Sequence, residues 1–221
     1  MTTKIPIYFV PGLAASKQIF EHIFLPEDKF DVNYIEWILP LSIDETIESY
    51  AKRMCEFITH ENPILIGVSF GGVMVQEMSK IISAQKVILI SSIKSKHELP
   101  TRLRIAQKTK AYKLFPTKII ENIEKYEAIF FNDYLKKRNE LYKKYLSVRN
   151  ASYLQWAIYN VLHWQQEEVL ENVIHIHGDK DEIFPIKYIQ NYTNIKNGTH
   201  VMVLDKAKSI SKILMELNTK N

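Results

Sequence analysis

Short apolar runs alternate along the chain with stretches in which apolar residues recur at helical spacing. The runs are rich in Val, Ile and Leu and nearly continuous, as is typical of parallel strands that are covered on both faces. This alternation predicts an α/β fold, with three α/β/α layers built around a mostly parallel sheet of about six strands. The predicted strands are Ile5–Val10, Val32–Trp37, Ile64–Val68, Val87–Ser91, Val173–His177 and Tyr192–Ile195.

Three amphipathic helices are predicted to cover this sheet. The first should start at Ser42, because Ser42 and Glu45 have the spacing of a capping box and apolar residues follow along one helix face. The second should begin just after Ser69 and end near Ile82, and the third should follow Asp205.

The alternation of strands and helices stops between residues 94 and 166. That segment is helical in pattern, is broken at Pro100 and Pro116, and is followed by the strand Val173–His177. We therefore expect residues 1–221 to form a single domain, with a helical cap inserted at about residues 94–166. The aromatic residues of the cap would either line an apolar acyl pocket or pack the cap onto the sheet. They include Tyr112, Phe115, Tyr126, Phe130, Phe131 and Tyr134.

Positive charge is concentrated in the predicted cap. Residues 94–149 hold 15 Lys and Arg residues against six Asp and Glu, although the whole chain has a net charge of only +4. One explanation of this excess is that the basic residues lie on solvated helix faces. The alternative is that they attract an anionic substrate or surface. The lysines are interspersed with apolar residues at helical spacing rather than gathered in a stripe, so we predict no nucleic-acid partner.

Composition excludes several other classes of protein. Cys55 is the single cysteine, which rules out an intramolecular disulfide and a cysteine-rich zinc site. No apolar run approaches the roughly 18 residues of a transmembrane helix, so no stable membrane insertion is expected. Pro6, Pro11 and Gly12 interrupt the apolar stretch near the N-terminus, which fits a strand better than a signal peptide. We expect a cytoplasmic protein without a cofactor or a bound metal; its oligomeric state is left open.

Glycine is scarce in this chain and concentrated around one serine. The chain has six glycines, whereas an average composition would give about 15. Gly67, Gly71 and Gly72 surround Ser69 where a predicted strand meets a predicted helix. In such a Gly-x-Ser-x-Gly turn, the serine hydroxyl projects above the sheet beside a helix N-terminus that favours negative charge. We predict that Ser69 is a nucleophile.

A serine nucleophile needs a general base, and the base needs an orienting acid. The reacting groups of an open α/β sheet lie on loops beyond the carboxyl ends of its strands. His200 lies on such a loop, between the last predicted strand and the final helix, and is the best base among seven histidines. The loop after the strand Val173–His177 offers Asp179 and Asp181 as acids. Asp181 is favoured because it reaches further past Gly178, and Asp179 is the alternative.

An oxyanion hole would complete the site, and it requires backbone N–H donors. The N–H of Phe70, the residue after Ser69, is the first candidate. The N–H of Leu13 is the second, because Pro11-Gly12-Leu13 follows the first predicted strand.

The order Ser69, Asp181 and His200 on this alternating pattern resembles the α/β-hydrolase superfamily, and the resemblance covers most of the chain. It implies an α/β-hydrolase fold with the cap in the superfamily's usual insertion site. It also supports Asp181 over Asp179, since members commonly carry the acid in a Gly-x-x-Asp-x-x-x-Pro pattern, here Gly178 to Pro185.

These residues predict a serine hydrolase that cleaves a carboxylic ester or thioester of a small-molecule acyl substrate through an acyl-enzyme. Hydrolysis of a C–C bond is also open, because the same triad serves all three reactions. A metal-dependent hydrolase is a rival hypothesis: His175, His177 and Asp179 resemble the start of the metallo-β-lactamase motif, although Lys180 stands where that family continues with His. A non-catalytic binding protein on the same fold is a third.

Overall fold

Six strands form one sheet in the computed structural model, which describes residues 4–115, 117 and 144–219. They are β1 (Ile5–Val10), β2 (Phe30–Tyr34), β3 (Ile64–Val68), β4 (Lys86–Ile90), β5 (Val173–Gly178) and β6 (Thr193–Ile195). The strand order is β2-β1-β3-β4-β5-β6, and every neighbouring pair is parallel. The predicted α/β class and parallel sheet are confirmed.

Six α-helices occur in the described part of the chain. They are α1 (Ile47–Cys55), α2 (Phe70–Ser79), α3 (Thr101–Thr109), α4 (Ala151–His163), α5 (Met202–Asp205) and α6 (Ala207–Thr219). None of these described helices is both long and apolar enough to cross a membrane.

The start of α1 differs from the sequence prediction. The helix begins at Ile47, and the Thr46 side chain caps it by accepting a hydrogen bond from the Ser49 N–H at 3.2 Å. Glu45 does not complete a capping box with Ser42. Its buried carboxylate accepts the Leu41 N–H at 2.6 Å and pairs with Arg53 at 2.9 Å, so it fixes the loop before the helix.

The end of β2 also differs, because the chain leaves the sheet earlier than its apolar run suggests. The Ile35 N–H still donates to the Phe9 carbonyl at 2.9 Å. Trp37, which the sequence placed in the strand, instead turns its indole N–H to the Gly12 carbonyl at 2.9 Å.

Two separate apolar cores cover the two faces of the sheet. Successive side chains of a strand point to opposite faces, and in β3 Leu65 packs in one core while Ile64 and Ile66 pack in the other. The first core includes residues of α1, α2 and α4, and the second includes residues of α6. The three predicted layers are therefore present.

An aromatic cluster fixes α4 to the rest of the domain. Tyr153 and Trp156 of α4 are fully buried. The Trp156 ring stacks on Tyr50 of α1 with the ring centroids 4.1 Å apart, and Tyr153 lies 5.6 Å from Trp37. Trp37 in turn stacks on Phe70 at 5.2 Å, so α4 packs directly beside the start of α2.

The predicted cap lies only partly within the described residues. Its described helices, α3 and α4, fall between β4 and β5, and α3 is tied to the loop after β5 by a hydrogen bond from Arg102 to the Ile183 carbonyl at 3.2 Å. A cap spanning residues 94–166 stays a prediction. Four of the aromatic residues proposed to serve it lie outside the described residues: Tyr126, Phe130, Phe131 and Tyr134.

The glycines provide space rather than unusual backbone angles. No glycine has a positive φ, whereas Ala14, Ser69 and Asn197 do. A Cβ added to Gly178 would overlap the carbonyl group of Gly198, because two segments of the chain cross there in backbone contact. The loop after β5 and the loop after β6 are thus held together by their main chains.

We expect Gly178→Ala to lower the free energy of unfolding by about 3 kcal/mol, because its methyl group would overlap backbone atoms that cannot rotate away. Gly12→Ala is the matched control, since its Cβ would lie 3.5 Å from the Ser69 Cβ, an ordinary contact distance. Urea unfolding followed by circular dichroism measures both. Equal losses of stability in the two variants would contradict this account of the glycines.

Candidate active site

Three loops at the carboxyl end of the sheet bring together the residues that the sequence singled out. Ser69 follows β3, Asp181 follows β5, and His200 follows β6. The Ser69 Oγ lies 2.9 Å from His200 Nε2, and His200 Nδ1 lies 2.9 Å from Asp181 Oδ2. Since the carboxylate can only accept, Nδ1–H donates to Asp181 and the Nε2 lone pair faces the serine hydroxyl.

Ser69 occupies a strained turn between β3 and α2. Its backbone angles are φ 53° and ψ −119°, which a non-glycine residue adopts only when its surroundings impose them. The Ser69 N–H donates to the Ile90 carbonyl of β4 at 2.9 Å, and its own carbonyl accepts the Ser92 hydroxyl at 2.7 Å. Gly67 and Gly71 leave the space that this turn needs, because a Cβ on either would overlap neighbouring backbone.

The side chain of Asp181 is fully buried and held by its own loop. Its Oδ1 accepts the N–H groups of Ile183 and Phe184, each at 2.8 Å, which leaves Oδ2 for His200. Asp179, the alternative acid, instead accepts the Asn197 N–H at 2.6 Å and braces the two loops. The structure therefore places Asp181, and not Asp179, against His200.

The two predicted backbone donors come from different elements: Leu13 lies on the loop after β1, and Phe70 is the first residue of α2. The Gly12 carbonyl accepts the Trp37 indole N–H at 2.9 Å and the Ala15 N–H at 3.0 Å. Because the peptide bond is planar and trans, the Leu13 N–H must point the opposite way from that carbonyl. Neither the Leu13 N–H nor the Phe70 N–H has a hydrogen-bond acceptor among the described residues.

The three proposed metal ligands, His175, His177 and Asp179, do not face a common point. His175 and His177 are buried and face each other, with His177 Nδ1 at 3.0 Å from His175 Nε2. The other ring nitrogen of His175 faces the Lys94 ammonium at 3.1 Å, an unsuitable neighbour for a cation. Asp179 points to Asn197, as described above. No group of three or more His, Cys, Asp or Glu side chains in the described ranges could hold a metal ion.

Cys55 does not offer a rival nucleophile. It is the last residue of α1 and is half-buried, and burial raises the pKa of its thiol to about 11. The thiol is therefore protonated at neutral pH, and the thiolate is the reactive form.

A cavity of about 720 Å³ lies between the loop before α1 and the outer side of α4. Tyr112 and Phe115, two of the predicted pocket residues, line it together with Tyr159 and His163. Neither Ser69 nor His200 does. Tyr112 and Phe115 therefore belong to a space beside α4 and not to the immediate surroundings of Ser69.

Several residues that shape the site were missed by the sequence analysis. Trp37 holds the loop after β1, and Ser92 holds the carbonyl of Ser69. Lys94 belongs to a series of buried polar side chains that leads to Asp181. The pair Ser91-Ser92 at the carboxyl end of a predicted strand was the one available signal, because polar residues at that edge face the reacting groups.

Comparisons with known proteins give similarity in structure alone. No known family model and no curated protein matches the sequence. An esterase from Thermogutta terrifontis has a TM-score of 0.69 at 13% identity, with 99% of this chain and 90% of that chain covered. The putative non-heme bromoperoxidase BpoC from Mycobacterium tuberculosis has a TM-score of 0.68 at 13% identity, with coverage of 97% and 91%. A Bacillus megaterium epoxide hydrolase has a TM-score of 0.64 at 13% identity, with coverage of 99% and 94%.

The chain has the α/β-hydrolase fold, as the resemblance implied. A structure described as an alpha/beta hydrolase fold protein, from Burkholderia ambifaria, matches with a TM-score of 0.66 at 12% identity over 97% of this chain and 91% of that chain. At such identities the similarity establishes the fold, while the chemistry has to be argued from the site itself.

Proposed function

We propose that this protein is a serine hydrolase that cleaves a carboxylic ester or thioester of a small-molecule acyl substrate. The observation that carries the proposal is the continuous hydrogen-bonded series from Ser69 through His200 to Asp181, with both bonds at 2.9 Å. Each member has the support that its role requires: a strained turn for Ser69, and two backbone donors for Asp181.

In the acylation step, Ser69 Oγ attacks the carbonyl carbon of the substrate while His200 Nε2 takes the hydroxyl proton. The carbonyl π electrons move to oxygen, and the resulting oxyanion accepts hydrogen bonds from the N–H groups of Leu13 and Phe70. Asp181 keeps His200 in the required tautomer and stabilises the imidazolium that forms. When the tetrahedral intermediate collapses, His200 returns the proton to the departing alcohol or thiol.

Deacylation repeats these steps with water as the nucleophile. His200 Nε2 takes a proton from water as its oxygen attacks the acyl carbon, and a second oxyanion forms at the same two N–H groups. Collapse breaks the bond between the acyl carbon and Ser69 Oγ, and the proton on His200 passes to that oxygen. The products are the free acid and the original hydroxyl.

The serine favours acyl substrates over epoxides, although epoxide hydrolases are among the structures of similar fold. Attack of a serine oxygen on an epoxide carbon would leave an ether on the enzyme, which water does not cleave. Attack on an acyl carbon leaves an ester, which the same residues can hydrolyse. Among the structures of similar fold, the Thermogutta terrifontis protein and a protein from Nitrososphaera gargenis are described as an esterase and a carboxylesterase.

Replacement of Ser69 tests the reaction class. We expect Ser69→Ala to lower kcat for short acyl esters by about four orders of magnitude and to abolish covalent labelling by a fluorophosphonate probe. Ser209→Ala, at an exposed position on α6, is the control and should label as the wild type does. A folded wild-type protein that never labels would favour the non-catalytic hypothesis, and activity that survives Ser69→Ala would overturn the site.

Two aspartate variants separate the acid from the bracing residue. Asp181→Asn should lower kcat by roughly 10³-fold or more, because the amide cannot stabilise the imidazolium of His200. Asp179→Asn should leave kcat within a small factor of the wild type, because Asp179 contacts Asn197 and not His200. Steady-state kinetics on the same ester decide, and the reverse ranking would show that the acid has been misassigned.

The role of Trp37 is tested by removing its N–H while keeping an aromatic ring. Trp37→Phe removes the hydrogen bond to the Gly12 carbonyl, so the Leu13 N–H is held less firmly toward the oxyanion. We expect kcat to fall roughly tenfold, which is less than the fall caused by loss of a whole oxyanion donor. Trp164→Phe is the matched control, since it loses an indole hydrogen bond to Glu77 at 2.6 Å away from this loop. Similar kcat values for the two variants would show that Trp37 serves stability alone.

A further inference from the structure

A second series of buried polar side chains leads to Asp181. Its members are His177 and His175 of β5, followed by Lys94 and Glu98. All four side chains are buried, and Lys94 is only 4% exposed. The proposed reaction does not use them directly, yet His177 Nε2 lies 3.5 Å from the same Asp181 oxygen that accepts the His200 N–H.

Lys94 fixes the direction of this series. Its ammonium group has three hydrogens and three acceptors: the Glu98 carboxylate at 2.7 Å, the Gln190 carbonyl at 2.5 Å, and His175 Nδ1 at 3.1 Å. An ammonium group can only donate. The Nδ1 atom of His175 must therefore carry a lone pair, and the hydrogen of that neutral ring is on Nε2.

The same logic extends to His177. The His175 Nε2–H donates to His177 Nδ1 at 3.0 Å, so the hydrogen of the second ring is also on Nε2. That N–H donates to the Phe184 carbonyl at 2.8 Å. Phe184 is the residue whose own N–H holds Asp181 Oδ1. Every bond in the series thus points from Lys94 toward the loop that carries the acid.

This arrangement leaves no place for an additional proton. A proton on His175 Nδ1 would face the Lys94 ammonium, and a proton on His177 Nδ1 would face the His175 N–H. Each would place two hydrogens in a gap that holds one. Lys94 is the charged side chain that faces His175. The charged and titratable side chains around His177 are Asp181, His200 and Glu98. The Tyr192 ring also packs against His177, with the ring centroids 5.9 Å apart.

The electrostatics of the two rings agree with the geometry. Burial, followed by the charges of Lys94 and His177, holds the pKa of His175 well below its ordinary value. Burial also lowers the pKa of His177, and it outweighs the opposing effects of the Phe184 carbonyl and the Asp181 carboxylate.

We propose that Lys94 is a positioning residue that keeps His175 and His177 neutral with their hydrogens on Nε2, so that His200 is the one imidazole beside Asp181 that takes up a proton. This inference rests on the proposed function, in which His200 becomes an imidazolium during turnover. A proton on His177 would place a second cation 3.5 Å from the same carboxylate and oppose the charge that forms on His200. Lys94 prevents this without contacting Asp181, because two hydrogen bonds link it through His175 to His177.

The test reads the tautomers directly by NMR on the full chain labelled with 15N in histidine. Between pH 8 and pH 5, the wild type should show both buried histidines neutral with the hydrogen on Nε2. The double variant Lys94→Met/Glu98→Gln removes the cation without leaving its carboxylate partner buried and unpaired. In that variant at least one of the two rings should become an imidazolium within the same pH range.

Kinetics on an acyl ester supply the second readout. At pH 5 the kcat of the double variant should be roughly tenfold below that of the wild type, while KM changes little. An effect of this size lies in the range of coupling energies measured between residues of one hydrogen-bonded network. Lys86→Met, which removes a lysine bonded to the Leu217 carbonyl at the start of β4, is a control for loss of a lysine elsewhere in the sheet.

Two results would overturn the proposal. One is a hydrogen on Nδ1 of either buried histidine in the wild type, which needs no variant to fold. The other is a folded double variant in which both rings remain neutral down to pH 5 and the pH profile of kcat is unchanged. Fluorophosphonate labelling of wild-type Ser69 is measured alongside. If it fails, the proposed hydrolase function fails; if it succeeds and the tautomers are wrong, the role of Lys94 alone is overturned.

Discussion

The hydrogen bond from the Ser69 N–H to the Ile90 carbonyl is the contact on which the site depends. It fixes the strained turn between β3 and α2 to the neighbouring strand, and the Ser92 hydroxyl holds the carbonyl of the same residue. A serine at φ 53° would relax to an ordinary conformation without such restraints. The parallel sheet supplies them because the carboxyl end of β4 lies directly beside that of β3. Hydrogen bonds to the neighbouring strand and its following residues therefore offset the backbone strain at Ser69.

Aromatic packing extends this restraint to the other side of the serine. Trp37 contacts Phe70, Tyr153 and the Gly12 carbonyl, so a single ring links the start of α2, the helix α4 and the loop after β1. The Trp37 indole N–H donates to the Gly12 carbonyl, and the Trp156 indole N–H donates to the Glu45 carbonyl. Hydrogen bonds of this kind are electrostatically stronger in low-dielectric surroundings than in water. The donors proposed to meet the oxyanion therefore lie beside this packed cluster, Leu13 on the loop after β1 and Phe70 at the start of α2.

Much of the fold and most of the candidate site could be predicted from local patterns. Continuous Val and Ile runs identified the strands, and the Gly-x-Ser-x-Gly turn identified Ser69, because both signals depend on neighbours in sequence. The start of α1 was wrong because Glu45 pairs with Arg53 instead of capping Ser42. Trp37 and Lys94 were missed because their roles arise from contacts with Gly12 and His175, far away in the chain. The sequence does not show which property of glycine each position uses: the structure places the non-glycine residues Ala14, Ser69 and Asn197 at positive φ and uses glycine for close approach of backbone segments.

The crossing of Gly178 and Gly198 has a consequence for how this site can evolve. The Lys180 N–H donates to the Gly198 carbonyl at 2.9 Å, and the Asp179 N–H donates to the Ile195 carbonyl at 3.3 Å. Main-chain contacts therefore set the spacing between the loops that carry Asp181 and His200. Exposed side chains on these loops, such as Glu182 and Thr199, take no part in that spacing. Substitutions at these side chains can therefore accumulate while the distance between Asp181 and His200 stays constant. Sequence divergence around a conserved geometry is the expected history of such a site.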